Sequence, residues 1–162
     1  DQDLTADSID VQMPAQLLRE MHAVRNAMAA SVPDSSKIVS KEGDWLRGDT
    51  IVARFDSVAT GDTASRPAVR QIVAHGAAPR LASSFYQVAP SGVARTETPS
   101  VNYVLGEQIV VDFRNGQVES VNVQGKAAGF YVEAIPGGRG KNAPDSSAKV
   151  VPLPKKLPER RP

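Results

Sequence analysis

The sequence predicts an all-β, antiparallel fold built from three stacked hairpin-type units, and three observations carry that prediction. First, the stretch from Tyr103 to Val132 recurs twice upstream in degenerate form. Set against it without a gap, Asp7 to Met28 places Ile9 under Ile109, Val11 under Val111, Met13 under Phe113, Met21 under Val121, Ala23 under Val123 and Ala27 under Ala127. With one insertion, Gly48 to Phe55 matches Gly106 to Phe113, and Val69 to Ala78 matches Val118 to Ala127. Second, apolar residues in these stretches alternate with polar ones at a period of two, the pattern of half-buried strands. Third, the alternating runs are separated by turn-forming residues. Units of this kind cannot bury an apolar face alone and must stack on their neighbours.

The clearest unit is the last. Ile109, Val111 and Phe113 alternate with Val110 and Asp112, and Val121 and Val123 alternate with Ser120, Asn122 and Gln124. Between the two runs lies Asn115-Gly116, the dipeptide best suited to the positive φ angles of a tight hairpin turn. Gly125 and Gly129 then bracket a bend or bulge, and Phe130-Tyr131-Val132 reads as a third strand. The middle unit repeats this design. Trp45-Leu46 enters it, Ile51, Ala53 and Phe55 share a face with Ile72 and Ala74, and Leu81 to Val88 supplies the third strand. Ser57 to Pro67 reads as a long polar hairpin loop.

In the first unit local propensity and repetition conflict. Leu17, Leu18, Met21, Val24 and Met28 fall at helical spacing after Pro14, which suits a helix over 15–29. The gapless match to the last unit favours strand, and repeat context overrides weak local preference. Strand is therefore the expectation. The connectors Val32 to Asp44 and Ala89 to Ser100 are polar and contain proline.

Length and composition suit one folded body over 1–136, with repeats at about 6–31, 45–88 and 102–134, followed by a tail over 137–162. The net charge of +1 conceals a division: Gly137 to Pro162 carries seven Lys or Arg against two acidic residues. That tail is rich in proline and lacks aromatics, so it is expected to be poorly ordered and not to bind nucleic acid. No apolar run approaches the roughly 20 residues that cross a bilayer as a helix. The chain opens at Asp1 with no initiator Met and no hydrophobic leader, as expected of a processed product or an excised piece.

Chemistry is hard to find. The chain has no cysteine, which removes disulfides, thiolate metal sites and cysteine nucleophiles together. His22 and His75 are single, each in the second strand of its unit and apart from carboxylates, and no metal-ligand spacing is present. The serine pairs lack a nucleophile elbow, and Gly137-Gly138-Arg139-Gly140 lacks the context of a phosphate loop. Gly48-Asp49 and Gly106-Glu107 read as turns before strands. No catalytic residue, metal or cofactor is expected. What stands out is an apolar stripe on three hairpins. Periodicity alone leaves open whether it is packed core or the lining of a hydrocarbon trough.

The motif Gly-Asp/Glu-x-Ile-x-x-x-Phe, a turn, then Val-x-x-Val-x-Val-x-Gly-x-Ala-x-Gly-x-Tyr resembles the OstA-like family, the repeated β-jellyroll of LptA, LptC and the amino-terminal domain of LptD. Gly106, Glu107, Ile109, Phe113, Val118, Val121, Val123, Gly125, Ala127, Gly129 and Tyr131 carry it in the last unit. Gly48, Asp49, Ile51, Phe55, Val69, Ile72, Ala74, Gly76 and Ala78 carry it in the middle one. In the first unit Arg25 stands where the motif has glycine, and the Ser57 to Arg66 insertion and the basic tail lie outside the pattern. The resemblance implies a curved, V-shaped, two-sheet jellyroll in the periplasm that shields acyl chains of lipopolysaccharide or a related envelope glycolipid. It also implies pairing of terminal strands with other Lpt-type jellyrolls, or head to tail with itself. The residues it assigns to the lipid path are Ile9, Val11, Met13, Met21, Ile51, Ala53, Phe55, Ile72, Ile109, Val111, Phe113, Val121 and Val123. The competing expectation is a structural β-repeat scaffold with a filled core that presents edges or loops to partner proteins.

Overall fold

A computed structural model of the chain describes residues 2–32, 42–60, 64–77, 82–89, 99–133 and 151–152. The strands are β1 (Gln2–Thr5), β2 (Ser8–Gln12), β3 (Glu20–Ser31), β4 (Trp45–Thr60), β5 (Ala64–His75) and β6 (Ser83–Ala89). They continue with β7 (Ser100–Gly106), β8 (Gln108–Arg114), β9 (Gln117–Gln124), β10 (Ala128–Val132) and β11 (Val151–Pro152). All pairings are antiparallel, and the strands form one curled half-barrel sheet. Most of the tail lies outside the described residues, so the expectation of poor order there falls outside them too.

Two long strands hold the sheet together. β3 pairs with β2 through Glu20–Val24 and with β1 through Met28–Ser31. β4 pairs with β6 through Trp45–Arg47 and with β5 from Thr50 onward. Each strand therefore serves both halves of the sheet. One half runs β2-β3-β4-β5-β8-β9 and the other β1-β3-β4-β6-β7-β10-β11. The core lies on the concave side where the halves meet: Ala23, Ala27, Ile51, Ala74, Ile109 and Val111 from one region pack with Leu46, Phe85 and Val104 from the other.

The first unit is strand over Glu20–Ser31, joined to β2 by a single 3-10 turn at Pro14–Gln16. Sheet pairing on both edges of β3 overcomes the helical preference of its Ala and Met residues. Its resemblance to the last unit extends to the backbone. Positive φ occurs at Ala15 and Asn115 (52° and 53°), Gln16 and Gly116 (62° and 74°), Arg25 and Gly125 (62° and 72°), and Asn26 and Lys126 (52° and 48°). Each pair is separated by one hundred positions, and the strand registers agree: Ile9↔Ala23 matches Ile109↔Val123, and Val11↔Met21 matches Val111↔Val121. The bends are closed alike, by Asp7 N–H donating to Arg25 O at 3.0 Å and by Glu107 N–H to Gly125 O at 2.9 Å.

The middle unit departs from this scheme. β4 runs straight through Gly48 and Asp49, so the turn expected there is absent. Glycine is needed for another reason: a Cβ on Gly48 lies 2.8 Å from His75 O and 3.3 Å from Ala74 Cβ. The expected polar loop Ser57–Pro67 is also corrected. Residues 61–63 lie outside the described residues, and those on either side continue the β4–β5 hairpin in register, from Asp56↔Ala68 to Thr60↔Ala64. Because β3 and β8 stop short of this segment, it continues as a two-stranded ribbon beyond the sheet. The middle and last units do share a register shift immediately before the motif phenylalanine, at Arg54/Phe55 and Asp112/Phe113.

Non-glycine residues held in the left-handed region cost roughly 1 kcal/mol each. Arg25 is such a residue, and its side chain makes an exposed pair with Asp7, Nε to Oδ2 at 3.4 Å. We expect Arg25→Gly to stabilise the fold by about 0.5 kcal/mol, since the strain removed slightly outweighs the added freedom of the unfolded chain. A thermal melt checks this, and a lowered midpoint contradicts it.

Candidate functional site

Strand register assembles the apolar stripe into rows that cross six strands. Paired residues of neighbouring strands project from the same face. Ile9, Ala23, Ile51, Ala74, Ile109 and Val123 form one unbroken row, and Val11, Met21, Ala53, Ile72, Val111 and Val121 form the next. Phe55, Phe113 and Val118 lie one step farther from the bend, with Phe55 paired to Val69 and Phe113 to Val118. Twelve of the thirteen residues expected to line the stripe thus belong to one surface, Met13 having no register partner, and Ala23, Ala74, Val69 and Val118 extend it.

Exposure rises away from the bend and toward the β2 edge. Ile51 and Ile109 are fully buried, Val111 is 1% exposed and Ala53 5%. Met21, Phe55, Ile72, Phe113, Val121 and Val123 are half-buried. Ile9, Val11 and Met13 are 41%, 45% and 55% exposed. Among the described residues β2 is an edge strand paired with β3 alone, and every one of its residues is exposed. Met13 falls just past the end of β2, at the entry to the 3-10 turn. The stripe is thus solid core at its centre and open apolar surface at its margin.

The opposite face of this half is bound by a polar ladder. Arg54 donates from Nε to Glu20 Oε1 at 3.2 Å and from Nη1 to Gln71 Oε1 at 2.6 Å. Gln71 Nε2 donates to Asp112 Oδ1 at 2.8 Å, and Ser120 Oγ donates to Asp112 Oδ2 at 2.9 Å. Five adjacent strands are tied in sequence. Sequence reasoning missed this ladder because its members are scattered along the chain and meet only through register. His22 sits beside it, with Nε2 3.5 Å from Glu20 Oε1, which corrects the expectation of a neighbourhood without carboxylates.

Hydrogen bonds from Gln71 and Ser120, with Arg70 nearby, hold the Asp112 carboxyl below the usual carboxylate range despite some desolvation. The folded state therefore favours the ionised form. This contribution is complete above the ordinary value of about 3.9 and fades as pH falls through the lowered folded value. Thermal midpoints measured between about pH 5 and pH 2 should fall less steeply for Asp112→Asn than for the parent. Parallel curves contradict that.

Among the described residues no group of three or more His, Asp or Glu side chains is placed to hold a metal ion, and no helix is long and apolar enough to cross a membrane. One buried polar atom on the concave side has no partner, Ser83 Oγ, in a residue with no exposure. These features define a class: an all-β protein whose curled sheet carries a continuous apolar concave face. The sequence matches none of the protein-family models and none of the curated proteins with which it was compared.

Proposed function

We propose that the protein is a non-enzymatic lipid carrier or bridge module of the cell envelope, a V-shaped jellyroll of three repeats. In this reading its concave face shields acyl chains of lipopolysaccharide or a related glycolipid in the periplasm. One observation carries the proposal: two apolar rows cross six strands without interruption and pass from buried to open at the margin. A lining meant only as core gains nothing from continuing onto an exposed edge. A trough for hydrocarbon does, since each methylene removed from water contributes about 0.8 kcal/mol. The likeness to the OstA-like motif, carried by Gly106, Ile109, Phe113, Val121, Val123 and Gly125, supports the same reading. Among the described residues, β1 and β2 at one end and β9 at the other each pair on one side only, which offers backbone for strand addition by a second jellyroll or a second copy.

The test is a photo-crosslinking residue placed at Phe113 or Val121 on the concave face, and at Val110 or Asn122 on the other. Labelled lipopolysaccharide should attach at the first pair only. Equal capture on both faces rejects the proposal.

The full burial of Ile51, Ile109, Val111 and Ala74 favours a second reading, in which the sheet is a scaffold with a filled core that presents edges to protein partners. Capture at neither face, together with a copurifying protein lost on altering β9, would select it.

A further inference from the structure

The half of the sheet that holds β6, β7 and β10 is apolar on both faces. Leu46, Phe85 and Val104 point into the core. Trp45, Tyr86, Tyr103 and Phe130, each the register partner of the next, occupy the opposite, convex face. Their rings are in contact. Trp45 stacks on Tyr86 at 5.4 Å and 11°, meets Tyr103 edge-on at 6.1 Å, and Tyr103 tilts against Phe130 at 5.4 Å. Arg47 lies over the Trp45 ring at 4.8 Å. Trp45, Tyr86 and Tyr103 are half-buried and Phe130 is 39% exposed. Neither the core nor the lipid reading uses this ladder, and the other half of the sheet carries a polar ladder in the same place.

Two features of the chain indicate what covers it. β11 pairs with β10, which makes Pro152 the register partner of Phe130, the last ring of the ladder. From there the sequence is Pro152-Leu-Pro-Lys-Lys-Leu-Pro-Glu-Arg-Arg-Pro162, with prolines at 152, 154, 158 and 162 and cations at 155, 156, 160 and 161. Proline-rich segments dock on aromatic surfaces at little entropic cost because their backbone is already restricted. The charge is complementary as well. Burial, and then the carboxylates of Glu42 and Asp44, push the Tyr86 phenol up, so negative charge lies beside the middle of the ladder.

We propose that the convex aromatic ladder Trp45-Tyr86-Tyr103-Phe130 is a docking surface for proline-rich segments, and that its occupant is this chain's own segment 152–162. The proposal does not depend on the lipid reading, because the two use opposite faces of the sheet.

Trp45 is the only tryptophan, so its fluorescence reports on the ladder directly. The full chain is compared with a variant carrying Pro152→Ala, Pro154→Ala and Pro158→Ala, with circular dichroism to confirm that the sheet is retained. In the variant, Trp45 emission should move to the red and its acrylamide quenching constant should rise by about twofold, as the ring face opens to solvent. A synthetic peptide of residues 149–162 added to the variant should reverse both changes, less effectively at high salt. Identical quenching in parent and variant overturns the proposal. Protection in the parent that vanishes on dilution also overturns it, since the occupant is then the tail of a second copy.

Discussion

Phe113→Asp is expected to weaken capture of acylated lipid by more than tenfold while the chain stays folded. Phe113 lies in the outer row of the concave stripe, half-buried and packed on the edge of the core cluster. Withdrawing an apolar side chain from contact with hydrocarbon forfeits about 1.5–3 kcal/mol, and each 1.4 kcal/mol is tenfold in affinity. The carboxylate adds a desolvation cost wherever an acyl chain covers it. The free protein can leave that carboxylate in water, so its native circular dichroism should persist at 25 °C. Ile9→Asp and Val11→Asp offer a cleaner form of the test: both residues are more than two-fifths exposed, so stability should change by less than about 1 kcal/mol. Loss of lipid binding in all three variants with folding intact supports the trough. If Phe113→Asp unfolds the protein and neither the parent nor the edge variants capture lipid, the filled-core scaffold is the correct reading.

Ile109→Ala should have the opposite signature, a large loss of stability. Ile109 has no exposed surface and sits between Ala74 and Val123 in the row nearest the bend. Its neighbour Ala74 is too small to fill the space vacated, and Val123 is half-buried at its other side. A substitution of this kind costs about 2–5 kcal/mol, a substantial part of the 5–15 kcal/mol typical of a whole domain. The thermal midpoint should fall by about 10 °C. Ile51→Ala, in the same row and equally buried, should behave alike. A change below about 1 kcal/mol in both would show that the centre of the stripe is not packed core.

Much of the architecture was legible because it follows from a period of two and from repetition. The hairpin at Asn115-Gly116 has positive φ at both residues, as the dipeptide predicts. The match between Asp7–Met28 and the last unit correctly favoured strand over helix and extends to the left-handed bend at Arg25-Asn26. The Ser57–Pro67 loop was misread because Ser, Thr, Gly and Pro usually mark turns, whereas a hairpin ribbon needs only backbone pairing and tolerates such residues where no neighbouring strand follows. Gly48 was read as a turn for the same reason. Its true constraint is the backbone of β5, at a distance in sequence that no local pattern reveals.

By itself the sequence determined which residues alternate and which side chains belong to a common apolar stripe, since these depend only on neighbours along the chain. Tertiary structure alone decided how far each member is covered, leaving Ile109 dry and Met13 open. It also brought Glu20, Arg54, Gln71, Asp112 and Ser120 into one polar ladder and Trp45, Tyr86, Tyr103 and Phe130 into one aromatic ladder. Burial and cross-strand contact are set by register between strands distant in sequence, and register is fixed only when the whole sheet closes on its core.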